Sequence, residues 1–308
     1  MKHKNLVALA TLFSVGLQLA ISRSVKAEDI TGTSQSENKS SVSFNANDIS
    51  RHKKDNQDNT NPQAKTGWIN QNGKRLYLIN NRPVKGLKQI DKAWYLFDKN
   101  GVMLTGVRKI PHQNNYGYFE RNGRRQFNNI NTSRVYYWIN KSGNITGIKN
   151  YAKVIGQRPE MPTGCEITAV TMMINFAGKN VTKDQAAKIM PRSLNPNKGF
   201  IGSPYKKFPP GFWVAPNGIK PVVRHYLGTA TNMTNCSVFA INKKLIRSHL
   251  VVVWVGWFDG FSNHAITLTG YHGNTLYYND PWTGTKRSMN VETFKRHWRL
   301  DSYRTLSY

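Results

Sequence analysis

Met161-Pro162-Thr163-Gly164-Cys165-Glu166-Ile167-Thr168-Ala169-Val170-Thr171-Met172-Met173-Ile174-Asn175-Phe176-Ala177-Gly178 is the stretch that decides how the rest of the chain is read. Thr163-Gly164-Cys165-Glu166 reads as a capping box, with Thr163 as N-cap and Glu166 at the third helical position. Ile167, Val170, Ile174 and Ala177 supply an apolar face at helical spacing, and Gly178 supplies the stop. Cys165 therefore falls in the first turn of a helix, where unpaired amides and the helix dipole favour an anion. A thiol is a useful nucleophile only as thiolate, so the position matters. Gly164 leaves room for a carbonyl to approach, and the Cys165 amide is free to donate to the oxyanion that forms when that carbonyl is attacked. Gln157 is the candidate second donor, on a segment stiffened by Pro159 and Pro162. A solvated loop glutamine fits the same spacing.

A thiolate of this kind needs a base, and His264 is the candidate. It begins an apolar-rich strand, Ala265 to Tyr271, that turns at His272-Gly273-Asn274 and returns as Thr275 to Asn279. If Tyr271 pairs with Thr275, His264 lies opposite Trp282 and Asp280 becomes its same-face diagonal neighbour, within reach for orienting the imidazole. A strand-end histidine near an unrelated carboxylate is the alternative. His272 is a turn residue, His249 borders the apolar run Leu250 to Trp257, and His225 and His297 sit in amphipathic stretches. No histidine lies two to five residues from another His or Cys in a metal-like arrangement, so no zinc site is expected. Pro191 to Pro221, rich in Pro, Gly, Phe and Lys, reads as a binding lid or as a rigid loop packed by Phe208, Phe212 and Trp213.

Together, Gln157, Pro162-Thr163-Gly164-Cys165-Glu166 with Thr168 and Met172-Met173, Val251-Val252-Val253-Trp254-Val255, His264 and Tyr278-Asn279-Asp280-Pro281 resemble the bacterial peptidase family C-thirty-nine-like group. These are relatives of the bacteriocin-processing peptidases that cut after double-glycine leaders. The resemblance implies a papain-like α+β fold, with Cys165 as nucleophile, His264 as base, Asp280 as orienter and Gln157 in the oxyanion hole. It departs at Ser248-His249-Leu250, where relatives carry a Gly and a Pro. No transporter follows, so leader processing does not carry over.

Upstream, from about Thr66 to Asn150, the chain repeats itself. Trp94-Tyr95-Leu96-Phe97-Asp98-Lys99-Asn100-Gly101 is matched by Tyr116 to Gly123 and by Tyr136 to Gly143, with a degraded copy at Leu76 to Pro83. Aromatic and β-branched residues precede Asn-Gly or Ser-Gly turns, and Gly86, Gly106 and Gly147 read as points of chain reversal, giving an all-β array of short hairpins. The pattern resembles the cell-wall-binding repeats of Gram-positive surface proteins, the group that includes choline- and glucan-binding modules. The aromatic that follows the closing Gly is present as Trp68 but replaced by Leu87, Val107 and Ile148. A cation cage needs several aromatic faces, so most aromatics read as hairpin core and the expected ligand is an anionic wall polymer.

The start of the chain sets the compartment. A basic Lys2-His3-Lys4, an apolar Leu6 to Ile21 and Val25-Lys26-Ala27 read as a cleaved signal peptide over 1–27, with an uncleaved anchor as the alternative. Residues 28–64 are polar and read as a disordered linker, followed by hairpin repeats at 65–150 and the peptidase-like domain at 151–308. The 44 Lys and Arg against 16 Asp and Glu give a net charge of +28, which favours a polyanionic neighbour. Export disfavours nucleic acid as that neighbour, and no later stretch is long and apolar enough to span a bilayer. Export also makes a Cys165–Cys236 disulfide an alternative to a free nucleophile. The combined expectation is a secreted cysteine peptidase at the wall, acting on peptide or protein without a cofactor. A peptidoglycan amidase or endopeptidase with the same triad, and a non-catalytic wall-binding adhesin, are the rivals.

Overall fold

A computed structural model describes residues 64–207 and 212–308. The expected signal peptide, all but the last residue of the expected linker, and Phe208 lie outside the described residues.

The described residues open with a small sheet of β1 (Gly67–Gln71), β2 (Lys74–Ile79) and β3 (Arg82–Pro83). Two hairpins follow: β4 (Gly86–Ile90) with β5 (Ala93–Phe97), and β6 (Gly106–Lys109) with β7 (Tyr116–Phe119). The reversals are not where the sequence placed them. The β4–β5 turn is Asp91-Lys92, with φ of +47° and +64°, the left-handed pair that a two-residue hairpin loop requires. The Asn-Gly turns instead follow the second strand and link one hairpin to the next. Gly101 N donates to Asp98 O at 3.0 Å, and Gly123 N to Glu120 O at 2.9 Å. Gly101 has φ +81° and an added Cβ would lie 2.5 Å from Pro83 Cβ, so conformation and packing both demand glycine. Tyr95 and Phe97 pack with Val84 and Ile90, and Phe119 with Leu96 and Ile110, as hairpin core.

β8 (Ile130–Asn131), β9 (Val135–Ile139) and β10 (Ile145–Asn150) come next. The sequence assigns the β9–β10 hairpin to the repeats, but it is part of the large sheet downstream. Gly147 to Lys149 pair with Gly270 to His272. Trp138 stacks on His272 with ring centroids 4.3 Å apart. Gly147 is no chain reversal here; a Cβ on it would sit 2.7 Å from Tyr271 O, so the missing side chain is what lets the strands meet.

The remaining elements are α1 (Cys165–Phe176), α2 (Lys183–Lys188), α3 (Pro216–Leu227), β11 (Thr231–Asn232), α4 (Val238–Leu245), β12 (Val251–Val255), β13 (His264–His272), β14 (Thr275–Asp280), β15 (Thr285–Asn290), α5 (Val291–Leu300) and β16 (Thr305–Ser307). Nine strands form one antiparallel sheet in the order β11-β16-β12-β13-β10-β9-β8, with β14 on β13 and β15 on β14. Both faces are covered. Val252 and Trp254 of β12 join the core beneath α1 and α3, while Val251, Val253 and Val255 join the core with residues of α4 and α5. This is why β12 is an unbroken apolar run rather than an alternating one. Helix α1 is buried on all sides except at Asn175, not along one face as its spacing suggested. The expected irregular segment from Pro191 ends at Ala215, because Pro216 opens α3 at a position where a missing N–H costs nothing. Its described parts are held by backbone bonds, Ile201 N to Trp213 O at 3.1 Å and Phe212 N to Ile201 O at 3.2 Å.

Candidate active site

Helix α1 begins at Cys165, but the expected capping box is absent. Gly164 is the N-cap, with no side-chain cap. Thr163 Oγ1 donates instead to Ser203 O at 3.0 Å and Lys206 O at 3.3 Å. Glu166 is fully buried; its Oε1 accepts from Val214 N at 3.1 Å and its Oε2 from Cys165 Sγ at 3.1 Å. Both residues therefore tie the helix start to the segment before α3. Gly164 serves packing rather than substrate approach, since a Cβ there would lie 2.7 Å from Met161 Cβ and 3.3 Å from Pro204 Cβ. The first intrahelical bond runs from Thr168 N to Gly164 O, leaving the Cys165 amide without a helical partner, as the geometry of any helix start requires. Cys165 and Cys236 are both free, so the alternative disulfide is not formed.

His264 is the first residue of β13, only 2% exposed, and its Nε2 lies 2.9 Å from Asp280 Oδ1. The hairpin turn differs by one residue from the expected one, with His272 rather than Tyr271 opposite Thr275. A bulge between Leu268 and Gly270 then shifts the ladder, and Thr267 faces Asn279. The two displacements cancel, so the site end of the hairpin has the expected register. Asp280 Oδ1 also accepts from Trp282 N at 2.9 Å, and Oδ2 accepts from Thr283 Oγ1 at 3.0 Å and Arg287 Nη1 at 3.1 Å. Burial pushes this carboxyl up, but the bonds from His264, Trp282 and Arg287 outweigh it and hold the carboxylate well below its usual range. With Nε2 engaged, His264 presents Nδ1 as the nitrogen free to take a proton. Phe261 and Phe258 flank the ring at 5.5 and 6.2 Å.

Gln157 is buried, not solvated. Its Nε2 donates to Pro162 O at 3.0 Å and its backbone N to Pro281 O at 2.7 Å. Lys183 Nζ holds the same segment through Gly156 O at 2.8 Å and Gln157 O at 3.0 Å. Gln157, Cys165 and His264 line one cavity of about 320 Å³, walled by Phe212, Trp213, Phe261 and Trp282. Asp280 stands behind His264, so all four residues singled out in the sequence converge. Sequence reasoning missed the contacts made by Glu166, Lys183 and Arg287. Arg287 reaches Asp280 because Tyr278 pairs with Arg287 across β14 and β15, a register that only the folded sheet reveals. A larger cavity of about 760 Å³, among Arg134, Lys153, Phe176 and Lys179, contains neither Cys165 nor His264.

Burial, then the charge and hydrogen bond of Glu166, push the Cys165 thiol well above its usual range. Burial pushes the Glu166 carboxyl from near 4.5 up to about 7, although Cys165 and Val214 N donate to it. A raised carboxyl binds more protons folded than unfolded, so its contribution makes stability fall as pH rises from about 4.5 to 7. Glu166→Gln is expected to flatten that limb of the melting profile and to speed alkylation of Cys165 severalfold above neutrality, read by peptide mapping after iodoacetamide. An unchanged melting profile and alkylation rate would contradict this account of the thiol.

Residues 134–306, more than half of the chain, match the Peptidase_C39 like family. The chain belongs to that family. Outside this C39-like domain, residues 84–129 match the choline-binding repeat. The chain is similar to the uncharacterized protein YvpB of Bacillus subtilis, 26% identical over 171 residues, covering 46% of this chain and 67% of that protein. A solved Bacillus anthracis protein described as C39-like peptidase is 24% identical, with a TM-score of 0.48, over 51% of this chain and 94% of its own. Choline binding protein F of Streptococcus pneumoniae is 25% identical, with a TM-score of 0.24, over 26% of this chain and 28% of its own. The C39-like match begins at Arg134, just before β9, and so includes the hairpin that the sequence had assigned to the repeats.

Proposed function

We propose that the protein is an exported cysteine peptidase that hydrolyses amide bonds in peptides at the bacterial cell wall. The observation that carries this reading is the convergence of Cys165, His264 and Gln157 on one cavity, with Asp280 hydrogen-bonded behind His264. The thiol turns from Glu166 toward His264 and gives its proton to Nδ1. The thiolate then attacks the substrate carbonyl carbon, a C–S bond forms, and the carbonyl electron pair moves to oxygen. That oxyanion is held by the Cys165 amide and by the Gln157 Nε2 hydrogen not committed to Pro162. As the C–N bond breaks, His264 returns the proton to the leaving amine. Water, deprotonated by His264, hydrolyses the thioester to the acid and free thiol. Every step uses side chains and one backbone amide of this domain, and no cofactor enters.

The repeats support the location. Their match to the choline-binding repeat and the +28 charge suit an anionic wall polymer. Within residues 84–129, Leu87 packs with Leu96, Ile110 and Phe119. At the one retained aromatic, Trp68, the face is taken by Arg75 at 4.4 Å. Choline is therefore not part of this reading. A protein lacking residues 64–129 is expected to lose most of its retention on isolated walls, measured by co-sedimentation; equal retention would refute the wall-binding role.

Incubation of the full chain with a peptide library and, separately, with purified wall fragments tests the reaction, product amines being identified by mass spectrometry. Turnover of wall material alone would favour the endopeptidase form of the same chemistry. Gln157→Ala is expected to lower kcat by about 10²-fold with little change in KM, because its donor acts on charge that exists only in the transition state. A change confined to KM would remove Gln157 from the oxyanion hole.

A further inference from the structure

Two cavities share a wall beside the thiol. Pro162 and Trp282 line both the catalytic cavity and a neighbour of about 460 Å³ that contains Arg158 and Lys207. Gly156 and Gly284 also line the second cavity. The two cavities differ in character. The catalytic one has aromatic walls in Phe212, Trp213, Phe261 and Trp282 and no charged side chain apart from the reacting groups. Its neighbour has two cations and no carboxylate.

Neither cation belongs to an ion pair among the described residues. Arg158 is nevertheless fixed. Its guanidinium lies 3.9 Å from the Trp282 ring centroid, and it donates to Trp282 O at 3.2 Å. A stacked guanidinium is a planar fork whose remaining donors match a carboxylate, and stacking limits the freedom lost on binding. Trp282 also meets Phe261 edge-on at 4.7 Å, so one indole forms the partition between the apolar and the basic subsites.

We propose that this groove selects peptides bearing a free carboxylate within a few residues of the cleaved bond, seated at Arg158 and Lys207, with a bulky apolar group in the aromatic cavity. The proposal rests on the peptidase reading above and adds its substrate class. The carboxylate can come from an Asp or Glu side chain of a protein, or from the free α-carboxylate of an isopeptide-linked residue in a wall peptide.

The test uses the full chain and matched peptides that differ at one position near the scissile bond, carrying Glu, Gln or γ-linked Glu there. The expected result is a kcat/KM about tenfold higher for an acidic member than for its Gln counterpart, falling with added salt. The preference should shrink in Lys207→Gln and vanish in Arg158→Gln, with melting temperatures showing that both variants fold. A preference for γ-linked Glu over Glu supports the proposal and names wall peptide as the source; the reverse supports it and names protein. Equal rates for acidic and amide members at every position, or a preference that survives the double variant, would overturn it. If no peptide is turned over, the peptidase reading fails by itself. The groove is then judged by tryptophan fluorescence titration of Cys165→Ser protein, where tighter binding of the acidic peptide supports the proposal and equal binding overturns it.

Discussion

Cys165→Ala is expected to reduce turnover by about 10⁵-fold, to little more than what binding and the oxyanion donors supply without a nucleophile. Wall retention should be unaffected, because none of the hairpin residues contributes to the catalytic cavity. The Ala variant also removes the donor to Glu166 Oε2, so it is expected to melt lower above neutrality, where that buried carboxylate is ionised. Cys165→Ser separates the two effects. It keeps a donor beside Glu166 and so most of the stability, yet remains inactive because a hydroxyl is far harder to ionise than a thiol. Product release measured by mass spectrometry, with calorimetry on the same samples, checks both; activity within tenfold of the parent in either variant would dismiss Cys165 as nucleophile.

Asp280→Asn is expected to lower kcat by about 10³- to 10⁴-fold. An amide that turns its NH₂ to His264 Nε2 forces the ring proton onto Nδ1, the nitrogen that accepts the thiol proton in the proposed mechanism. The substitution also takes a charge from a carboxylate that accepts from His264, Trp282, Thr283 and Arg287, at a cost of about 3 kcal/mol in stability. Because the folded carboxyl sits below its usual range, the stability it contributes is present above pH ~4 and lost as the pH falls further. Glu166 acts in the opposite sense at higher pH. The melting temperature should thus peak in mildly acidic solution, with the acid limb weakened in Asp280→Asn. Full kcat in that variant, or an acid limb identical to the parent's, would count against this role.

The helix start and the hairpin were legible because their signals are local. A thiol two residues before an apolar periodicity marks a helix N-terminus, and a Gly-Asn reversal between two apolar runs fixes a ladder. The capping box was misread because Thr163 and Glu166 have the right spacing for capping but find longer-range partners, Ser203, Lys206 and Val214. Local pattern could not reveal that α1 would be enclosed, and enclosure decides where a buried carboxylate turns. The tie between the last repeat-like hairpin and the large sheet was hidden for a related reason. The copy at Tyr136 to Gly143 has the hairpin signature of the others, while its membership in the large sheet depends on Gly270 to His272, more than a hundred residues away. The cancellation of turn and bulge around Thr269 left no trace in composition.

The pairing of β10 with β13 has a mechanical consequence. β9 and β10, which follow the repeats in the chain, are tied to β13 by a strand ladder with Trp138 stacked on His272, so on the proposed reading a load on the repeats would reach the C39-like domain along that ladder. The strand receiving that load is the one that begins at His264. If the repeats hold the wall as proposed, tension in the envelope would therefore be borne along the strand whose first residue is the proposed base.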